Sequence, residues 1–279
     1  AATVSVATPL FTSQRPPLIT SRQNPRVKNA AALRSRKARD TRGETLVYGP
    51  RETLRAMAAG AEVVEVFVCR DLLRGADAPA ADRALAASGV EVLETTPEVF
   101  DRLAYGDRLD GVVAVVKAPR RGLADLSLPA KPLIAVVEGV EKPGNLGAVL
   151  RSADGAGVDA VVLADPVIDL FGPNVIRASV GAVFKSNAVV AGTVETLDWL
   201  AGLRAPIYAT RPDATDDYTA ANFSAGAAIV LGAEATGLTD AWSTAGVTPI
   251  RLPMHGIADS LNLSATAAVL FYEALRQRG

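Results

Sequence analysis

Ala-Ala-Ile-Val-Leu-Gly-Ala-Glu-Ala-Thr-Gly-Leu, residues 227–238, and Thr-Pro-Ile-Arg-Leu-Pro-Met-His-Gly-Ile-Ala-Asp-Ser-Leu-Asn-Leu-Ser, residues 248–264, decide the fold. Each opens as a short apolar run that reads as a buried parallel strand. Each then breaks at Gly or Pro into a loop, leaving backbone accessible at the carboxyl end of a strand. Open α/β sheets bind ligands at that end. Two strand–loop–helix units are expected in succession. The closing helix carries Leu263, Ala267, Leu270, Phe271, Ala274 and Leu275 on roughly one face.

The same alternation extends upstream. Leu133 to Glu138 reads as a buried strand, residues 139–144 as a loop, and Asn145 to Ala156 as a helix capped by Gly157. Strands at 160–163, 188–190 and 207–209 follow, separated by helices at 173–179 and 196–203. Parallel strands joined by helices build a doubly wound α/β sheet. Residues 118–132 hold three prolines, a Gly and an Arg-Arg pair, and read as a linker. Before them, strands at 46–48, 63–69, 90–94 and 111–116 alternate with helices at 50–59, 78–88 and 97–103, a smaller α/β unit. The expected layout is a flexible tail at 1–17, a first domain at 18–117, the linker at 118–132 and a second domain at 133–279.

A net charge of −1 hides an asymmetry along the 279 residues. Between Ser21 and Arg55 stand ten Lys or Arg against three Asp or Glu, a local +7; the rest of the chain carries −8. Residues 26–39 read as one basic helix with Val27, Ala30, Ala31 and Leu33 inside. Arg34, Arg36, Lys37, Arg39 and Arg42 are either a solvated helix end or a contact for a polyanion, and their density favours the polyanion. No aromatics interleave, so base stacking is not expected there. One Cys (Cys69) and one His (His255) exclude an intrachain disulfide and a zinc site of the usual ligands. Cys69 ends an apolar strand and reads as a packed thiol. No apolar run approaches the ~20 residues that span a bilayer, and no signal-peptide core opens the chain. A cytoplasmic location is the expectation.

Three short motifs carry a resemblance. They are Asn145-Leu146-Gly147 with Arg151-Ser152-Ala153; Gly232-Ala233-Glu234 with Gly237-Leu238; and Leu252-Pro253-Met254 with Ser260-Leu261-Asn262. In this order they resemble motifs one to three of the SpoU/TrmH family, RNA 2′-O-ribose methyltransferases of the SPOUT superfamily. The resemblance implies a parallel-sheet catalytic domain tied in a trefoil knot, S-adenosylmethionine as cofactor, and a homodimer. Asn24-Pro25-Arg26-Val27-Lys28, the basic helix and Gly49-Pro50-Arg51 are similar to the L30e-like RNA-binding domain that precedes many such catalytic domains, with Tyr48-Gly49 where relatives often have Glu-Gly. The chain resembles in particular the actinobacterial branch that methylates 23S ribosomal RNA and confers avilamycin or thiostrepton resistance. Transfer RNA as substrate, and a non-catalytic RNA-binding module, are the alternatives.

Neither a Gly-x-Gly-x-x-Gly turn nor a P-loop is present, which suits a cofactor without phosphate. The resemblance places Gly232, Leu252 and Leu261 against S-adenosylmethionine, and Met254 and Ile257 complete an apolar adenine slot. It assigns catalysis to Arg151, Asn145, Glu234, Asn262 and Ser260, and RNA binding to Arg34, Arg36, Lys37 and Arg39. Each has a plainer reading. Asn145, Ser260 and Asn262 suit helix caps, Glu234 a stabiliser of a following helix, and Arg151 a surface position. Where Arg151 acts, it orients the 2′-hydroxyl and binds a phosphate, because a guanidinium gives up its proton too reluctantly to be a simple base.

Overall fold

The computed structural model describes residues 18–104 and 110–279; the expected tail at 1–17 lies outside the described residues. Val- and Leu-rich runs become strands wherever Gly, Pro or Asn stops the chain on either side. The first sheet comprises β1 (Leu18–Ile19), β2 (Glu44–Tyr48), β3 (Val63–Val68), β4 (Val92–Thr95) and β5 (Val112–Lys117), in the order β1-β4-β3-β5-β2. β1, β4 and β3 run parallel, and β5 lies antiparallel to both β3 and β2. Helices α1 (Pro25–Ala32), α2 (Arg36–Arg42), α3 (Pro50–Ala58), α4 (Ala78–Ser88) and α5 (Pro97–Leu103) connect them.

The expected single basic helix is two. The chain leaves the first at Leu33, which is fully buried. Ser35 restarts it, its side chain accepting from the Ala38 N–H at 3.2 Å as an N-cap. The break rotates α2 so that Arg39 turns inward.

A second sheet, parallel throughout, contains β6 (Leu133–Glu138), β7 (Ala160–Ala164), β8 (Ala188–Ala191), β9 (Ile207–Thr210), β10 (Ala227–Leu231) and β11 (Val247–Ile250). Its order is β11-β9-β10-β6-β7-β8. β6 to β8 step across one half. The chain then crosses to β9, sets β10 between β9 and β6, and lays β11 at the far edge. Helices α6 (Pro143–Ala156), α7 (Pro173–Ala178), α8 (Thr193–Leu203) and α9 (Leu263–Arg278) cover it. α6 packs on α9 and on α7. The α6–α7 approach depends on Gly147, where a Cβ would lie 2.3 Å from the Ala178 Cβ and 2.5 Å from its carbonyl carbon.

Three expectations need correction. α6 begins at Pro143, so Asn145 is its third residue and not its cap; Pro fits the first helical turn, where its missing N–H costs nothing. After β10 the chain makes only a single 3₁₀ turn, Asp240–Trp242, instead of a helix. On α9, Leu263, Ala267, Leu270, Phe271 and Ala274 are buried, whereas Leu275 faces outward.

The two sheets share one apolar cluster. Val47, Val66, Ala114 and Val116 of the first belong with Ala135, Val137, Leu163 and Ile229 of the second, along with Phe171, Ile176 and Phe184. Polar contacts cross the same seam. Thr45 Oγ1 donates to the Phe171 carbonyl at 2.6 Å, Arg39 pairs with Asp169 at 2.8 Å, and Arg55 donates to the Val180 carbonyl at 2.8 Å. The stretch 118–132 is anchored as well: Leu123 is buried, and Arg120 donates to the Asp40 carbonyl. Among the described residues no helix is long and apolar enough to cross a membrane.

Candidate functional site

The strand order brings the carboxyl ends of β10, β9 and β11 side by side, and their three following loops enclose a cavity of about 490 Å³. That volume lies within the range of small-molecule sites. Thr210 to Asp213 line it from β9, Leu231 to Leu238 from β10, and Ile250 to Leu252, Met254 and Asp259 to Leu261 from β11; Leu263 and Thr266 of α9 close it. The β10 loop is folded tightly on itself. Gly237 takes φ +67 and its N–H donates to the Ala233 carbonyl at 2.9 Å. A Cβ on Gly232 would sit 2.4 Å from the Gly237 carbonyl carbon and 2.5 Å from the Leu238 nitrogen. A side chain at 232 is therefore incompatible with the turn.

A buried carboxylate holds the far end of this loop. Glu138, at the end of β6 and 4% exposed, accepts from the Thr239 N–H and Oγ1, both at 2.8 Å, and from Thr193 Oγ1 at 2.9 Å. β6 thereby fixes both the β10 loop and the start of α8.

Beside the cavity, side chains from all three motifs meet. Asn262 caps α9, its Oδ1 accepting from the Ser264 N–H at 2.9 Å. Its amide donates to Asn145 Oδ1 at 3.3 Å and to Glu234 Oε1. The other oxygen of Glu234 pairs with Lys142 Nζ at 2.5 Å. The Lys142 ammonium, followed by the Asn145 amide and the Leu263 N–H, holds the Glu234 carboxyl below its ordinary range against the opposing effect of burial. The same contact raises Lys142. Glu234 does stabilise a helix start, but that of α9 and not one following its own strand. Asn145 serves as a partner for Asn262 instead of a cap. Ser260 lies on the cavity wall.

Gly232, Leu252, Met254 and Leu261 line the cavity; Ile257 does not, and is fully exposed. Arg151 stands apart from the Asn145–Glu234–Asn262 cluster. It is six residues beyond Asn145 on α6, about 9 Å along the axis, and faces a second cleft. Of the four cations expected to bind RNA, Arg34, Arg36 and Lys37 are exposed and Arg39 is buried. Arg39 is nine-tenths buried and donates to Asp169 and to the Leu33 and Arg34 carbonyls. Arg34 reaches the Arg102 and Ala104 carbonyls, and Arg36 the Val167 carbonyl and Asp40. Only the Lys37 ammonium among these four has no partner among the described residues. Arg36 and Arg39 thus tie the first half to the second, at Val167 and Asp169. Cys69 is buried, and burial pushes its thiol up; His255 is exposed on the β11 loop.

Sequence reading missed Lys142, Glu138, Thr239 and the β9 loop. Arg211-Pro212-Asp213 directly after a strand is a turn signal that marked the loop. Nothing local marked Glu138, because a strand-end carboxylate reveals its role only through partners 55 and 101 residues away.

Comparison with known proteins agrees with this geometry. Residues 132–272 match the SpoU rRNA Methylase family, and residues 24–114 match an MRM3-like substrate binding domain. A 23S rRNA (uridine(2479)-2′-O)-methyltransferase of Streptomyces viridochromogenes is 31% identical over 271 residues, 93% of this chain and 92% of the relative. A crystal structure of an RNA 2′-O ribose methyltransferase superposes with TM-score 0.80 at 42% identity, covering 94% of this chain and 99% of the other. The SpoU methyltransferase AviRb of S. viridochromogenes in complex with AdoMet gives TM-score 0.81 at 29% identity, over 92% and 98% of the two chains. With its motif residues gathered at one sheet edge and this match across half its length, the chain belongs to the SpoU rRNA methylase family.

Proposed function

We propose that the chain transfers the methyl group of S-adenosylmethionine to a ribose 2′-oxygen of RNA, 23S ribosomal RNA in the first instance. The observation that carries this reading is the meeting of Asn145, Glu234 and Asn262 beside a cavity bounded by the Gly232 turn. The cavity suits such a cofactor. Its walls combine apolar side chains, Leu231, Leu238, Ile250 and Leu252, with a glycine turn whose backbone a ligand approaches directly. The relative from S. viridochromogenes is a methyltransferase of a 23S ribosomal RNA uridine, and the AdoMet complex of AviRb shares the fold.

When bound, the cofactor supplies a methyl on a sulfonium, already activated for in-line attack. The protein then works by positioning and electrostatics. Lys142 keeps Glu234 ionised, Glu234 and Asn145 fix the Asn262 amide, and Asn262 sets the start of α9. Arg151, exposed and without a partner among the described residues, grips the phosphate next to the target ribose.

We read the second sheet as a trefoil knot, with the insertion of β10 between β6 and β9 and the packing of α9 on α6 as support. Residues 18–117 are read as an L30e-like RNA-binding domain, in line with the substrate-binding match at 24–114. A homodimer would cover Leu261, Val269, Tyr272 and Leu275, exposed apolar side chains at and before α9. The test is methyl transfer from labelled S-adenosylmethionine to protein-free 23S ribosomal RNA and to transfer RNA, with the ribose mapped by primer extension. Label in 23S RNA is the expected result. Label only in transfer RNA overturns the substrate, and absence of cofactor binding by calorimetry overturns the enzyme.

A further inference from the structure

The cleft that Arg151 faces lies between the two halves of the chain and has a volume of about 840 Å³. The first half contributes Arg51 and Arg74 with the carboxylates Glu52, Asp77 and Asp110; the second contributes Arg151 and Arg177 and no acidic side chain. Arg51 is occupied by Asp77 at 2.8 Å. Arg74, Arg151 and Arg177 are exposed, and among the described residues none of the three has a hydrogen-bond or ion-pair partner. Pro143 and Gly144, the first residues of α6, also line the cleft. They directly follow Lys142, whose ammonium pairs with Glu234.

The wall carrying Arg177 is held in an unusual conformation. Val180 takes φ +53, a genuine outlier for a β-branched residue. The first half holds it there: Arg55 donates to its carbonyl, and Gly181 packs at 3.1 Å, measured to an added Cβ, from the Arg55 Cβ. Both halves thus shape a single surface.

We propose that this cleft is the track for the RNA strand adjoining the target nucleotide, and that Arg74 and Arg177 bind its phosphates together with Arg151. The inference rests on the RNA-methylation reading and places a phosphate contact in the cleft, apart from the cations at and before α2. A polyanion is the partner that fits, because three exposed guanidiniums without side-chain partners among the described residues line one groove, and guanidiniums pair strongly with phosphates.

The experiment measures the affinity of the full chain for a fluorescent 23S ribosomal RNA fragment over a series of salt concentrations. In the double variant Arg74→Ala/Arg177→Ala the log–log salt slope should flatten by about 1.4 to 1.8, two phosphate contacts. Cofactor affinity should stay unchanged, and Arg74→Lys/Arg177→Lys should restore the slope. Arg36→Ala/Lys37→Ala should leave it as in the wild type. An unaltered slope in Arg74→Ala/Arg177→Ala overturns the proposal, as does flattening confined to Arg36→Ala/Lys37→Ala. The methylation reading fails separately, through absence of methyl transfer by the wild type, and the slope comparison still reports on the cleft in that event.

Discussion

Gly232→Ala separates binding from folding. The added methyl would meet the Gly237 carbonyl carbon at 2.4 Å and the Leu238 nitrogen at 2.5 Å, well inside the ~3.5 Å of ordinary contact. Both are backbone atoms of the same turn, so no side chain can swing aside. The turn must open, losing the Gly237 N–H bond to the Ala233 carbonyl. Forcing it closed costs about 1–3 kcal/mol, as overpacking does. The free protein escapes this by relaxing an exposed loop, so urea unfolding should change by less than about 0.5 kcal/mol. A ligand that requires the closed turn meets the whole cost, and the cofactor Kd should rise about 5- to 150-fold. Calorimetric titration with S-adenosylmethionine, run beside urea unfolding, measures both. Wild-type cofactor affinity in Gly232→Ala would refute the closed turn as part of the binding site.

Gly147→Ala should do the reverse. The methyl meets Ala178 at 2.3 Å in a buried helix contact, so stability should fall by about 1–3 kcal/mol, seen as a lower urea midpoint. Glu138→Gln removes the charge from a carboxylate that accepts three hydrogen bonds. About 1–2 kcal/mol should be lost from the loop anchor, with cofactor Kd rising more than the unfolding midpoint falls; an unchanged Kd would show that the β10 loop holds itself. Folding lowers the Glu234 pKa from its ordinary 4.5, so the folded state favours the carboxylate. Its contribution is complete above pH 4.5 and is lost as pH falls through the depressed value. Cofactor affinity should therefore be level from neutral pH down to that point, and Lys142→Met should move the fall to higher pH. A decline beginning near pH 6 would point to another group.

Much of the second half was legible because its strands are short, purely apolar and punctuated. Leu133–Glu138 and Ala227–Leu231 stand where their β-branched runs begin and end. In the first half Ala78–Ser88 and Pro97–Leu103 are equally clear, each opened by an early Pro. Motif residues converge because their loops all leave the same edge of a parallel sheet, which alternation of strand and helix already requires. What stayed hidden depends on rotation and long-range pairing. Composition marks Arg34, Arg36 and Arg39 as cations but says nothing of the Ser35 cap that turns Arg39 toward Asp169. Ile257 reads as a lining residue by type, yet it is fully exposed, because residue type alone does not fix which way a loop side chain faces. Lys142 precedes the Pro that opens α6, and only the approach of the β10 loop gives it a carboxylate.

The shared apolar cluster between the sheets makes the chain a caliper with no hinge. Phe171 and Phe184 stand against the strands of one half while belonging to the other, so opening the seam would bare buried aromatic surface to water. Both halves should melt in one cooperative step. Any RNA feature held by the first half is then kept at a constant distance from the reacting ribose, and choosing a different nucleotide requires recarving that seam, not bending a connector.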